Sequence, residues 1–599
     1  MNNPVWLPSQ ARVDSANITQ FCRWLEQTQD LSFTDYEALH AWSVQKPEIF
    51  WKCLWDYFRI INSKAPEQIV RYGARFQDAR WFCGAELNFA ENLLRIRDDR
   101  IAISSWLESG KRQSWTCAEL YLAVAKFSTF LQQTGVKPGD RVAGLMPNIG
   151  ETTIAMLATT TIGAVWTSCS PDFGNQGVID RFGQTQPTVL ICTDGYIYNG
   201  KSIHCLDRIA AIAEAIPCVK RIVIVPLLNA TPDMSSVSTA ISWADASDND
   251  ATDVRFAQLA FNHPLYIMYS SGTTGKPKCI VHSVGGTLLQ HLKELSLHTD
   301  LKSGEAIFYY TTCGWMMWNW LISSLVLGAT IVQFDGSPFA PGPEVLWNIS
   351  EHENVSIFGT SAKYLSALEK AGYRPREHHD LSRLKSVLST GSPLAHESYD
   401  FVYQAIHDDV CLSSISGGTD IISCFALGNP ALPVYRGELQ CKGLGMAVEI
   451  WNDEGSPVIA QKGELVCTHP FPSMPIGFWN DTDGSRYQSS YFDSYPDIWA
   501  HGDYAEETGH GGIIIFGRSD TVLNPGGVRI GTAEIYRQVE QIEEVLESVV
   551  VGQEWDNDTR VILFVRLRDG LVLDDTLRLS IKQQIRQNTT PRHVLAIIE

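Results

Sequence analysis

The chain predicts an α/β protein built on largely parallel sheets with flanking helices, and three observations carry that reading. Short apolar runs alternate with helical stretches, most plainly in "DRVAGLMPN", "IGETTIAMLATTTIG" and "AVWTSCS". The runs are near-continuous rather than alternating, as strands buried on both faces require. And in "LYIMYSSGTTGKPKCIVHSVGG", Leu265 to Gly286, such a run gives way at once to Gly, Ser and Thr and then to two lysines.

In chain order, "DRVAGLMPN" reads as a strand ending at Pro147, with Asn148 placed to cap the following helix. "AVWTSCS", "PTVLICTD", "RIVIVP", "PLYIMYS", "SVLST" and "VCLSSIS" are further strands. Leu227 to Asp253, rich in Ser, Thr, Asn and Asp, reads as a surface linker. Ala306 to Phe334 carries no charge and is long enough for a membrane span. Cys313-Gly314, Asn319, Ser323 and Gly328 interrupt it, so a buried strand–helix–strand unit is expected instead. Beyond Arg518 a Gly-dense turn leads into an amphipathic helix, the start of a small, mobile C-terminal α+β domain. The last residues, "TPRHVLAIIE", stop inside an apolar strand pattern, which predicts that this small domain is truncated. The expected division is 1–95, 96–517 and 518–599.

Composition narrows the function classes. The chain has 599 residues, 47 basic and 67 acidic, for a net charge of −20. That balance argues against a nucleic-acid or anionic-membrane partner, both of which need a basic face. The 14 cysteines include no Cys-x-x-Cys pair, and their scatter predicts free thiols in a reducing cytoplasm. The N-terminus lacks the basic head and apolar core of a signal peptide.

The loop after Leu265 has the chemistry of a phosphate cradle, with small residues exposing backbone N–H groups and lysines adding charge. It is not a Walker A loop: Ser270 stands where the first glycine belongs, and Pro277 follows Lys276. "YSSGTTGKPK" resembles the signature loop of the acyl-adenylate-forming enzymes. "STGSPL", "SGGTD", "HGDY" and "GRSDTVLNPGGVRIGTAEI" follow in that family's order. Upstream, "FTDYEALHAWSVQKPEIFWKCLWDYF" and "WFCGAELNFAENLL" are similar to the N-terminal extension of its acetyl-CoA synthetase branch, so 1–95 is expected to be that extension and 96–517 the AMP-binding domain.

The resemblance implies a two-step ligation. A carboxylate attacks the α-phosphate of ATP, releasing pyrophosphate, and the thiol of coenzyme A then displaces AMP from the acyl-adenylate. It assigns Ser270, Ser271, Gly272, Thr273, Thr274, Gly275, Lys276 and Lys278 to the ATP phosphates, and Thr274 with Asp420 to Mg2+. Asp420 replaces the family's usual glutamate with a shorter acid. Gly391, Ser392 and Pro393 would bed the adenine, with Ser414, Ile415, Ser416, Gly417, Gly418 and Thr419 as its second wall. Asp503 and Arg518 would hold the ribose, Arg529 a phosphate, and Asp520 the hinge of the small domain. Thr274, Asp420 and Arg529 are the catalytic candidates. Gly526 and Gly527 would line the tunnel for coenzyme A, and Lys201 would meet its phosphates. The plainer alternatives are a helix cap for Asp420, an ordinary turn for Gly391 to Pro393, and surface ion pairs for the lone charges.

Trp315, Met316 and Met317 are expected in the acyl pocket, and Gly417 stands where acetyl-specific relatives carry a tryptophan wall. An opened pocket with a soft lining predicts acetoacetate over acetate. The family's late lysine, in a "GK" motif, does not occur before Glu599. Loss of such a group costs about a hundred- to a thousandfold in rate, so adenylation by this chain is expected to be weak. The other readings are a ligase for a different short- or medium-chain acid, and a nucleotide- or acyl-adenylate-binding protein without turnover.

Overall fold

The computed structural model describes residues 3–110, 112–270, 276–519, 522–528, 530–539, 541–556, 558–568 and 571–599. Two large sheets dominate. One orders its strands Ala240–Ser242, Arg221–Val225, Val189–Thr193, Arg141–Leu145, Val165–Cys169, Pro264–Ser270, Lys278–Ser283 and Gly477–Phe478. Neighbours are parallel as far as Pro264–Ser270 and antiparallel beyond it. The other orders Cys411–Ser414, Ser386–Thr390, Val355–Ser361, Ala306–Tyr309, Thr330–Asp335, Ile101–Leu107 and Arg112–Thr116, parallel except at its last pair. Parallel strands need crossovers, and the helices that supply them cover the sheet faces, hence the unbroken apolar runs.

The helix Gly150–Thr161 is buried along nearly its whole length. Asn148 does not cap it; Ile149 holds the cap position, and no side chain bonds there. The Asn148 amide instead joins the two sheets. It accepts from Trp318 Nε1 at 3.0 Å and Gln333 Nε2 at 2.8 Å, and donates to the Thr311 carbonyl at 3.3 Å. Burial decides the difference, because an amide with no water nearby must satisfy all its groups from protein.

The uncharged stretch forms the parallel strands Ala306–Tyr309 and Thr330–Asp335 around the helix Met316–Ile322. No helix among the described residues is long and apolar enough to cross a membrane. The stretch expected to be a linker contains the edge strand Ala240–Ser242, with Val237 and Ala246 buried beside it. Its polar residues from Asn229 to Thr239 lie exposed in irregular turns that lead into the strand. The cysteines are all unpaired.

A four-stranded antiparallel sheet, Val448–Trp451, Lys462–Cys467, Trp499–Glu507 and Ile513–Arg518, leads to the C-terminal elements. There the hairpin Val545–Trp555 and Asp558–Leu567 pairs in parallel with Ile597–Ile598. The helices Thr532–Val539 and Asp575–Asn588 cover it through Ile535, Val539, Ile581 and Ile585. Several contacts join this unit to the rest. The Gly174 N–H donates to the Thr589 carbonyl at 2.7 Å, Lys363 pairs with Asp558 at 2.8 Å, and Lys370 pairs with Asp556.

Candidate functional site

A cavity of about 450 Å3 opens where the strands of both large sheets end. Cys169, Ser270, Tyr309, Thr390 and Ser414, each at the carboxyl end of a parallel strand, line it. Open α/β sheets bind ligands there because the chain turns away and leaves a crevice.

Three layers of sequence meet in that space. Gly391, Ser392 and Pro393 follow the strand Ser386–Thr390 and form one side. Ser414 through Thr419, continuing from Cys411–Ser414, form another. Trp315, Met316 and Met317, at the start of the helix Met316–Ile322, line the deeper end. The C-terminal unit closes the opening with Gly526 and Gly527. Asn524 Nδ2 donates to the Gly391 carbonyl at 2.6 Å. A Cβ built on Gly527 would stand 2.8 Å from Gly391 Cα, and Gly527 holds a φ of +77°. Only glycine meets both demands.

Asp503 and Arg518 face each other across neighbouring strands, in register, and both line the cavity. Arg518 Nη1 donates to Asp503 Oδ1 at 2.9 Å, while Ser416 Oγ and His501 Nε2 lie 3.5 and 3.7 Å from Oδ2. A nearly buried carboxylate beside a guanidinium has the chemistry to accept from vicinal hydroxyls.

Other expected residues lie outside the cavity wall. Asp420 is buried directly after Thr419, and its Oδ1 accepts from Tyr491 at 2.6 Å, with Lys278 Nζ 4.0 Å away. No helix follows Asp420, so it is not a cap. Lys278 sits over the Tyr491 ring, 5.2 Å from its centroid. Lys276 is exposed. Lys201 is exposed on the hairpin Gly195–Tyr198 and Lys201–His204, whose Tyr198 reaches the cavity. Ser271, Gly272, Thr273, Thr274, Gly275, Asp520 and Arg529 lie outside the described residues.

The cavity also gathers side chains that the sequence reading passed over. Asp172 and Arg181 come from the stretch "SCSPDFGNQGVIDRF", which follows the strand Val165–Cys169. Arg181 is buried, its guanidinium 4.8 Å from the Phe173 ring. Lys363, Thr590, Arg592 and His593 also line the space. The Arg592 guanidinium lies 5.6 Å over the Trp315 ring, linking the C-terminal unit to the deeper end. Its signal was masked because "TPRHVLAIIE" reads first as a strand.

Gly417 has a local reason to be glycine. In the hairpin Ser416–Gly418 and Ser423–Leu427, a Cβ there would stand 2.0 Å from the Ser423 carbonyl oxygen and 2.6 Å from Cys424 Cα. The opposite strand lies flat against it.

Comparison with known proteins agrees with this arrangement. The family model described as AMP-binding enzyme matches residues 90–476, and that of the acetyl-coenzyme A synthetase N-terminus matches 36–93. The acetoacetyl-coenzyme A synthetase of Rhizobium meliloti is 51% identical over 597 residues, covering 99% of this chain and 91% of its own length. That of Gallus gallus is 45% identical, covering 99% and 90%. The solved acetoacetyl-CoA synthetase of Streptomyces lividans superposes with a TM-score of 0.83 at 44% identity, over 100% of this chain and 92% of that one. On the family model, the full-length identity and the shared architecture together, the chain belongs to the AMP-binding enzymes.

Proposed function

We propose that the protein ligates acetoacetate to coenzyme A, forming acetoacetyl-adenylate and pyrophosphate from ATP and then the thioester and AMP. The observation that carries this reading is one cavity that brings together an expected nucleotide bed, an expected acyl end and the glycine pair of the C-terminal unit. The names of the full-length relatives support acetoacetate as the acid.

The adenine would lie between Gly391–Pro393 and Ser414–Thr419, and the ribose against Asp503 and Arg518. The loop Ser270–Lys278 would take the β- and γ-phosphates, and Arg529 a further phosphate oxygen. Negative charge builds on those oxygens as the acid attacks, so donors already in place lower the barrier most. Magnesium arrives with ATP as part of the substrate. Asp420 offers it a carboxylate beside Thr419, with Thr274 as the second protein group. Mg2+ keeps waters and phosphate oxygens as most of its ligands, so one or two protein oxygens suffice.

In the second step the thiol needs a path to the adenylate. The Gly526–Gly527 turn would line that path, with Lys201 on the outer hairpin for the phosphates of coenzyme A. Asp520 would serve as the hinge, within a division at 95 and 517.

Pyrophosphate release with acetoacetate, acetate and butyrate at equal concentration tests the assignment. The expected result is the highest kcat/KM with acetoacetate. Equal rates with acetate would refute the substrate, and no retention of magnesium-ATP would refute the whole reading.

A further inference from the structure

Behind the acyl end of the cavity lies a charged cluster that the reaction above does not use. Lys293 and Glu294 are fully buried at the start of the π-helical segment Lys293–His298, which continues the helix Val284–Leu292. Glu294 does not line the cavity, yet its carboxylate grips both walls of it. Oε1 accepts from Ser423 Oγ at 2.6 Å and from the Cys424 N–H at 3.0 Å. Oε2 accepts from Trp320 Nε1 at 2.9 Å. Ser423 and Cys424 line the cavity on the strand that presses against Gly417. Trp320 belongs to the helix Met316–Ile322, whose Met316 and Met317 line the opposite side.

The rest of the cluster serves the carboxylate. Gln290 Nε2 adds a third donor to Oε1 at 3.2 Å. Lys293 Nζ stands 3.9 Å from Oε1 and donates to the Leu444 carbonyl at 3.0 Å. A buried ion pair is weak evidence for stability, since apolar residues of similar volume commonly do as well. What an apolar residue could not do is hold a hydroxyl, a backbone N–H and an indole at set distances from one point.

We propose that Glu294 is a positioning residue for acyl specificity: it fastens the Ser423–Leu427 strand and the Met316–Ile322 helix at the separation that admits acetoacetate. The substrate named here rests on the function proposed above; the positioning role rests on the hydrogen bonds alone.

The test compares the intact protein with Glu294→Gln and Trp320→Phe. Calorimetric titration with the non-hydrolysable sulfamoyl analogues of acetoacetyl- and acetyl-adenylate, and with AMP, reads the pocket without turnover. Trp320 does not line the cavity: its indole N–H bonds Glu294, and its ring meets the cavity residue Tyr309 edge to face with 6.2 Å between centroids. Losing a hydrogen bond to a charged group predicts that the acetoacetyl-to-acetyl affinity ratio shifts about tenfold in Glu294→Gln and about threefold in Trp320→Phe. AMP affinity is expected to stay within about twofold, as the nucleotide bed lies elsewhere. A ratio equal to wild type in both variants, or all three ligands weakened alike, would overturn the proposal. If Glu294→Gln does not fold, Glu294→Asp, which keeps the charge and shortens its reach, is measured in its place. A wild type that prefers the acetyl analogue would refute the substrate, while a shifted ratio in the variants would still support the positioning role.

Discussion

Acidification from pH 7.0 to 5.5 should destabilise this protein through four buried histidines. Burial pushes His40, His282 and His291 from the ordinary 6.5 down to about 4, and His298 to about 3. Each is held by a backbone carbonyl: Met446, Thr419, Ile422 and Gly428 respectively. His298 also accepts from the Leu444 N–H through Nε2 at 3.2 Å, a bond that protonation would break. His282 Nδ1 is buried with no partner, so a proton there would be stranded. Because the folded values lie below the unfolded one, the unfolded chain binds more protons between pH 6.5 and 4. Stability is therefore full above pH 6.5 and lost as the pH falls. Over the interval each histidine costs on the order of 1 kcal/mol, roughly 5 kcal/mol for the four. Asp335 opposes them. Burial raises its carboxyl to about 7, so the folded form takes up the proton first. That contributes about 2 kcal/mol in the stabilising sense, leaving a net loss of roughly 3 kcal/mol. Asp300 and Glu464, also raised by burial, trim the loss further. Urea unfolding followed by tryptophan fluorescence at the two pH values measures it. A midpoint that stays level or rises at pH 5.5 would refute the assignment of neutral, desolvated histidines.

Other tests address the site. Reversing both interdomain pairs with Lys363→Glu and Lys370→Glu should slow thioester formation about three- to tenfold, since exposed pairs contribute up to ~1 kcal/mol each. Pyrophosphate exchange should change less than twofold, and equal loss in both half-reactions would count against a docking role. Gly527→Ala places a methyl 2.8 Å from Gly391 Cα and is expected to abolish most thioester formation, while ATP binding measured by calorimetry persists. Asp503→Asn removes the charge facing Arg518 and should raise the KM for ATP by about tenfold or more. An unchanged KM for ATP would remove Asp503 from the ribose site.

Much of the architecture was legible in the chain because parallel sheets write themselves as repeated apolar runs. All the strands expected from "DRVAGLMPN" to "VCLSSIS" occur, and the uncharged stretch is the strand–helix–strand unit its interruptions implied. Local order in sequence also carried the motifs that meet at the cavity. What could not be read was contact between distant segments. Asn148 has the composition of a helix cap and acts as a tie between sheets, because burial changed what its amide had to satisfy. Arg592 looked like part of a terminal strand and stands over Trp315. Gly417 signalled an open pocket; only the fold shows the Ser423 backbone lying against it and Glu294 holding that backbone in place. Periodicity and motif spacing are properties of a few neighbouring residues, so the sequence alone determined most of the elements and the order of the motifs. Which groups are desolvated, and which therefore need partners hundreds of residues away, depends on how the sheets stack, and that was decided by the tertiary structure.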